Sequence, residues 1–285
     1  MKKLLLYRRG GLGDTLLTFP LLEVFKGQGF HITTVGNTDY FEIAKEVGWA
    51  DRVLSEMPKE DFDKRIIIGT DGIAPFPKER VWVLEYYLKL LGLSSHYSRT
   101  LPLGADQNSP FKGKVVLHPS SGSPKKNPPI ELFFEIENFL TGLGYRCVYL
   151  VGEADQWLKA RVKNFVEMYQ PLQIAKALKS ALFFVGNDSG LSHLSAYLGL
   201  PTFIFYGPTD PVVWKPIGKS VFQIGLNLGC SPCFPNTCQE RVCFDVKALF
   251  ERFLNYFKGM SLWGFKKPPS NRPTPRNSSS QKTLT

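Results

Sequence analysis

Val185-Gly186-Asn187-Asp188-Ser189-Gly190-Leu191-Ser192-His193-Leu194-Ser195-Ala196-Tyr197-Leu198-Gly199-Leu200-Pro201-Thr202-Phe203-Ile204-Phe205-Tyr206-Gly207-Pro208-Thr209-Asp210 reads as strand, polar turn, short helix, strand, polar turn. Residues 181–185 are a compact apolar run of the kind found in buried parallel strands. Asp188 and Ser189 supply capping oxygens, and Gly190 lets a ligand approach the backbone. His193, Leu194 and Leu198 follow at helical spacing, and Gly199 with Pro201 ends the helix. Residues 202–206 form the next strand, with Thr209 and Asp210 in its exit loop. Two strand ends and a helix start therefore open on one sheet edge, where open α/β sheets bind ligands. Free N–H groups and the helix dipole favour an anion such as pyrophosphate there. An ordinary capped βαβ unit carries the same Asp-Ser-Gly. The imidazole of His193, one turn past Ser189, adds a donor that such a unit does not need.

Working outward, the first half repeats strand–helix units: strand 3–7, a helix from 15, strand 31–35, helix 40–47, a short strand near 52–54, strand 64–68 and helix 81–91. This alternation predicts an α/β fold with parallel, doubly wound sheets. The loop Arg8-Arg9-Gly10-Gly11-Leu12-Gly13-Asp14 is neither the dinucleotide fingerprint nor a P-loop. Gly10, Gly11 and Gly13 allow close backbone approach, and Asp14 suits either a helix N-cap or a general base. A polar stretch at 103–110 reads as an interdomain linker.

The second half restarts with strand 114–117 and the loop His118-Pro119-Ser120-Ser121-Gly122-Ser123-Pro124-Lys125-Lys126-Asn127. Its serines, glycine and lysines offer hydroxyl, N–H and ammonium donors to phosphate. Helix 130–143 and strand 147–151 follow. Glu153 after them is able to accept from ribose hydroxyls or to cap the helix through Trp157, Leu158 and Val162.

Three stretches together resemble glycosyltransferase family 9, the ADP-heptose:lipopolysaccharide heptosyltransferases: residues 9–20, 118–127, and 187–193 running on to 206–211. The resemblance spans residues 1–258. It implies the GT-B architecture, two Rossmann-like domains with parallel sheets facing across a cleft: an acceptor-side domain at 1–108 and a nucleotide-sugar domain at 109–258. It implies Asp14 as base for the acceptor hydroxyl and Lys126 on the donor phosphates. Ser120, Ser121, Glu153, Asp188, Ser189, Gly190, His193 and Thr209 would hold the donor. Where the family has Lys-x-Trp-Pro this chain has Lys126-Asn127-Pro128-Pro129, and the adjacent Lys125 leaves the choice of lysine open. The implied activity is inverting transfer of a heptose or related sugar from an ADP-activated donor to a lipopolysaccharide inner-core acceptor, with no metal or cofactor required; no DxD-type acidic pair lies in either loop. The alternatives are another nucleotide-sugar, or a nucleotide-binding protein of this fold without catalysis.

Cys230, Cys233, Cys238 and Cys243 lie close enough in sequence for a structural zinc or iron–sulfur site, a disulfide or free thiols, and the spacing leaves these open. The 285 residues are 43% hydrophobic, enough for a sizeable core, and no apolar run is long enough to span a bilayer. Arg8-Arg9 cuts short the run before it, so a strand rather than a signal peptide is expected, and with it a cytoplasmic protein. Net charge is +10, and half of it sits in a Pro/Ser-rich tail at 259–285 that is expected to be disordered. Trp263, Phe265, Lys266 and Lys267 in that tail suit peripheral contact with the inner membrane's cytoplasmic face. With the charge concentrated there and no recognition module, nucleic acid is not an expected partner.

Overall fold

The structure, a computed structural model, describes residues 1–233, 238 and 240–262. The membrane-contact residues expected in the tail lie outside them. Two parallel sheets stand side by side. The first is built from β1 (Lys3–Arg8), β2 (His31–Gly36), β3 (Arg52–Leu54) and β4 (Lys64–Ile68), ordered β3-β2-β1-β4. The second has β5 (Val115–His118), β6 (Cys147–Val151), β7 (Phe165–Glu167), β8 (Phe183–Asn187), β9 (Thr202–Phe205) and β10 (Val221–Ile224), ordered β10-β9-β8-β5-β6-β7. Helices α1 (Leu12–Leu16), α2 (Phe19–Gly27), α3 (Thr38–Glu46) and α4 (Val83–Leu90) serve the first sheet. Helices α5 (Ile130–Gly142), α6 (Pro171–Leu178), α7 (Gly190–Tyr197) and α8 (Val246–Leu262) serve the second. This is the α/β, GT-B arrangement expected.

The second sheet is apolar on both faces, as a parallel sheet sandwiched between helices must be. Its period of two divides the burial. Val115, Leu117, Phe183, Val185, Phe203 and Phe205 pack one way, with Phe133 of α5 and Phe253 and Phe257 of α8. Val116, Val148, Leu150 and Phe184 pack the other way, into a cluster that runs without a break into Leu4, Leu6, Leu21 and Phe41 of the first half. The two halves therefore share apolar core. Trp49 against Tyr197 and the Lys176–Glu46 ion pair at 2.5 Å extend that contact to its edge.

Several elements differ from the sequence reading. The helix expected from residue 15 begins at Leu12 and breaks after Leu16, because Pro20 brings no N–H for the carbonyl four residues back. Helix 157–162 is a 3₁₀ turn, Glu153–Ala160. β7, β10 and α6 were not anticipated, and α8 runs on to Leu262, into the segment expected to be disordered. The polar stretch 103–110 is packed rather than free. Leu103 and Ser109 are buried, Ser109 Oγ donates to Ala177 O at 2.6 Å, and Asp106 N–H donates to Lys176 O at 3.0 Å. No helix among the described residues is long and apolar enough to cross a membrane.

Candidate active site

The carboxyl ends of β9, β8, β5, β6 and β7 line one side of a cavity of about 580 Å³, and α1 with α3 closes the other. Gly11, Gly13 and Asp14 face Ser121, Lys126, Asp188, Ser189, Gly190, His193, Glu153 and Thr209 across it. Residues up to 198 positions apart are thus brought together as the motifs implied. Gly10 and Ser120 are not on the wall. Gly10 makes room for Arg8, and Ser120 is buried beside Asp155.

Asp14 is not an N-cap. It sits in the first turn of α1, where its Oδ2 accepts from the Gly11 N–H at 3.0 Å and its Oδ1 from Arg8 Nη2 at 2.9 Å. Arg8 ends β1, with its side chain 7% exposed, so the carboxylate is aimed from a buried post. Glycine at position 13 eases the approach of α1 to α7, since a Cβ there would lie 3.3 Å from the His193 ring, tighter than an ordinary contact.

Ser189 alone caps α7, accepting from Ser192 N–H at 3.3 Å. Asp188 does not cap. Its carboxylate accepts from Lys126 Nζ at 3.2 Å and lies 3.8 Å from His193 Nε2. Burial alone would raise its pKa, but His193 and Lys126 hold it below the usual value. The β5 loop is locked to β8 by Asn187, whose Nδ2 donates to Lys126 O at 3.1 Å and Asn127 Oδ1 at 2.7 Å; Ser121 Oγ donates to the same Asn127 oxygen. That lock turns Lys126 into the cavity, while Lys125 lines a separate hollow with Cys233, Cys238 and Cys243.

Sequence reasoning missed a second buried pair. His118 Nε2 lies 3.0 Å from Asp155 Oδ2, which also accepts the Gly152 N–H at 3.0 Å. Burial works to raise the Asp155 carboxyl, yet His118, Ser120 and Gly152 together hold it at about 2. It is therefore a carboxylate, and His118 Nε2 is the donor. His118 Nδ1 and His193 Nδ1 are buried and have no hydrogen-bond partner among the described residues. Tyr40, Tyr169, Ile174 and Trp214 also line the cavity unannounced. Asp155, not Glu153, caps its 3₁₀ turn, and Glu153 stays exposed on the wall.

Cys230, Cys233, Cys238 and Cys243 form no disulfide among the described residues. Among the described residues no group of three or more His, Cys, Asp or Glu side chains is arranged to hold a metal ion, and Cys233, Cys238 and Cys243 line one hollow. Burial raises the Cys243 thiol above its ordinary pKa, the neighbouring cysteines adding to it.

Residues 88–243 match the family model of glycosyltransferase family 9 (heptosyltransferase). A stretch of 80 residues is 38% identical to lipopolysaccharide heptosyltransferase 1 of Pseudomonas aeruginosa, covering 26% of this chain; the chain spans 22% of the length of that relative. Among solved structures, E. coli ADP-heptose lps heptosyltransferase II superposes with a TM-score of 0.71 at 14% identity, over 92% of this chain and 100% of that one. The iron-containing heptosyltransferase TibC of enterotoxigenic E. coli H10407, solved with ADP-D-beta-D-heptose, gives 0.71 at 17% identity, over 91% of this chain and 77% of that one. At these identities the structures speak for the fold.

Proposed function

The chain belongs to glycosyltransferase family 9, and we propose that it transfers a heptose or a closely related sugar from an ADP-activated donor to a lipopolysaccharide core acceptor. The observation that carries this reading is the convergence on one cavity wall-to-wall of Asp14 from the first half with Lys126 and the Asp188–His193 turn from the second. The names of the relatives, lipopolysaccharide heptosyltransferase and ADP-heptose lps heptosyltransferase, support the donor and acceptor. A division near residue 108 puts acceptor binding on the first sheet and donor binding on the second.

In the reaction the acceptor oxygen bonds to the anomeric carbon as the bond from that carbon to the diphosphate oxygen breaks. Asp14 takes the acceptor's proton. Attack from the α1 side, opposite the leaving group, inverts the centre. The departing diphosphate gains negative charge, which Lys126, the first N–H groups of α7 and the hydroxyls of Ser121 and Thr209 stabilise from fixed positions. These groups supply the charge compensation a divalent metal gives in other transferases. A lipid-linked acceptor places the work at the cytoplasmic membrane face.

The test is transfer from ADP-heptose to truncated lipopolysaccharide. Wild-type protein should turn over equally with and without EDTA, and Asp14→Asn should lose at least ~100-fold in kcat while keeping ADP affinity. Turnover with UDP- or GDP-sugars alone would change the donor. Unchanged turnover in Asp14→Asn would remove the mechanism.

A further inference from the structure

The strand ends give the cavity a direction. Along the sheet edge the order is β9, β8, β5, β6, β7, carrying Thr209, Asp188–Gly190, Ser121–Lys126, Glu153 and Tyr169 in turn. At about 4.8 Å per strand this is a run of about 19 Å, room for a sugar, two phosphates and a nucleoside laid end to end. The donors suited to phosphate cluster in the middle, at β8 and β5. Asp14 stands over the β8 end, because its helix meets α7 there. The sugar then lies toward β8 and β9, and the nucleoside toward β6 and β7. That far end is apolar and aromatic: Ala154, Tyr169, Pro171 and Ile174, with Glu153 beside them.

We propose that Tyr40, from α3 of the first half, covers the nucleobase of the donor, so that the base is held between both halves of the molecule. The proposal rests on the nucleotide-sugar reading above. Tyr40 lines this end of the cavity from the opposite side. Its hydroxyl pKa is raised by burial first, then by Asp39 and by Glu153, which sets it close to the Glu153 side. Among the described residues the ring stacks on no other aromatic, the hydroxyl makes no hydrogen bond, and the residue belongs to neither apolar core cluster. A half-buried tyrosine outside both apolar clusters and without a hydrogen bond, presented to a cavity, is able to stack on a ligand's π-face. Its platform is firm. Asn37 caps α3, accepting from Asp39 N–H at 3.1 Å, and Glu46 at the other end pairs with Lys176 of α6.

The test is calorimetric titration of wild type, Tyr40→Phe and Tyr40→Ala with ADP, and with inorganic pyrophosphate as a probe that has no base, measured by its displacement of ADP. Tyr40→Ala should weaken ADP about ten-fold, or about 1.4 kcal/mol, and leave pyrophosphate within about two-fold. Tyr40→Phe should bind both like wild type, and all three should melt at one temperature. Equal ADP affinity in wild type and Tyr40→Ala overturns the proposal, as does an equal loss for ADP and pyrophosphate. If wild type binds none of ADP, UDP and GDP, the nucleotide reading falls and takes this proposal with it.

Discussion

Gly190→Ala tests the junction on which the catalytic geometry depends. Gly190 opens α7, and a Cβ there would stand 2.7 Å from Leu12 Cβ, 3.3 Å from Leu12 Cγ and 3.2 Å from the Gly13 N. Carbon atoms in contact rest at roughly 3.5–4.0 Å, so about 1 Å must open. The atom in the way is a Cβ next to backbone, not the end of a flexible chain. Either α1 or α7 therefore moves as a body. Asp14 rides on α1 two residues past Leu12, while the groups proposed to hold the diphosphate ride on α7 and the β5 loop. The clash thus separates the base from the donor. A misplacement of this size at reacting atoms costs up to ~100-fold in rate, and overpacking a tight contact costs ~1–3 kcal/mol of stability. We expect kcat to fall by ~10–100-fold and the melting temperature by several degrees. Gly27→Ala is the control. It lies in α2 with nothing within 4 Å of a new Cβ, and should be neutral or stabilising by up to ~1 kcal/mol. Wild-type kcat and melting temperature in Gly190→Ala would refute the reasoning.

Lys126→Ala should cost at least ~100-fold in kcat/KM for the donor and Lys125→Ala less than about three-fold, since only Lys126 reaches the cavity; steady-state kinetics of the two variants separate them. Asp155 is held at about 2 against an ordinary 3.8. A depressed carboxylate stabilises the fold above its unfolded pKa and loses that contribution as pH falls through the folded one. Its share, ~2 kcal/mol, is present at neutral pH and lost between about pH 4 and pH 2; Asp155→Asn should lower denaturant stability at pH 7 by about that amount and flatten the pH dependence in that window.

Much of the frame is legible because strands of a parallel sheet are short apolar runs bounded by Gly, Pro and Ser. β3, β4 and β6 are read to the residue. β7 escapes because Phe-Val-Glu is too short to show a period, and β10 because Val-Phe-Gln-Ile is only half-buried. The site is legible where a motif carries its own geometry, as at Asp14 and at Asp188–His193. It is illegible where two adjacent residues share a chemistry. Lys125 and Lys126 are equivalent in sequence, and only the 3₁₀ turn Pro124–Lys126, which swings successive side chains about 120° apart, sends one to Asp188 and the other to the cysteine hollow. Glu153 and Asp155 differ the same way, and closeness to His118, 37 positions away, decides which is the buried partner. Tyr40 has no local signal at all, since its neighbours across the cleft lie more than a hundred residues on.

The charges around the cavity sharpen the functional reading. Asp14, Glu153, Asp155 and Asp188 bring four carboxylates, against Lys126 on the wall and Arg8 behind Asp14. Leaving the histidines aside, that is a net charge of minus two, in a site proposed to hold a diphosphate. An anion does not enter such a site on main-chain N–H groups alone. Each buried histidine already has a carboxylate at one ring nitrogen, Asp155 for His118 and Asp188 for His193, and has its other nitrogen unpartnered. The carboxylates that look out of place in an anion site are what fix the two imidazoles and Lys126 in position beside it.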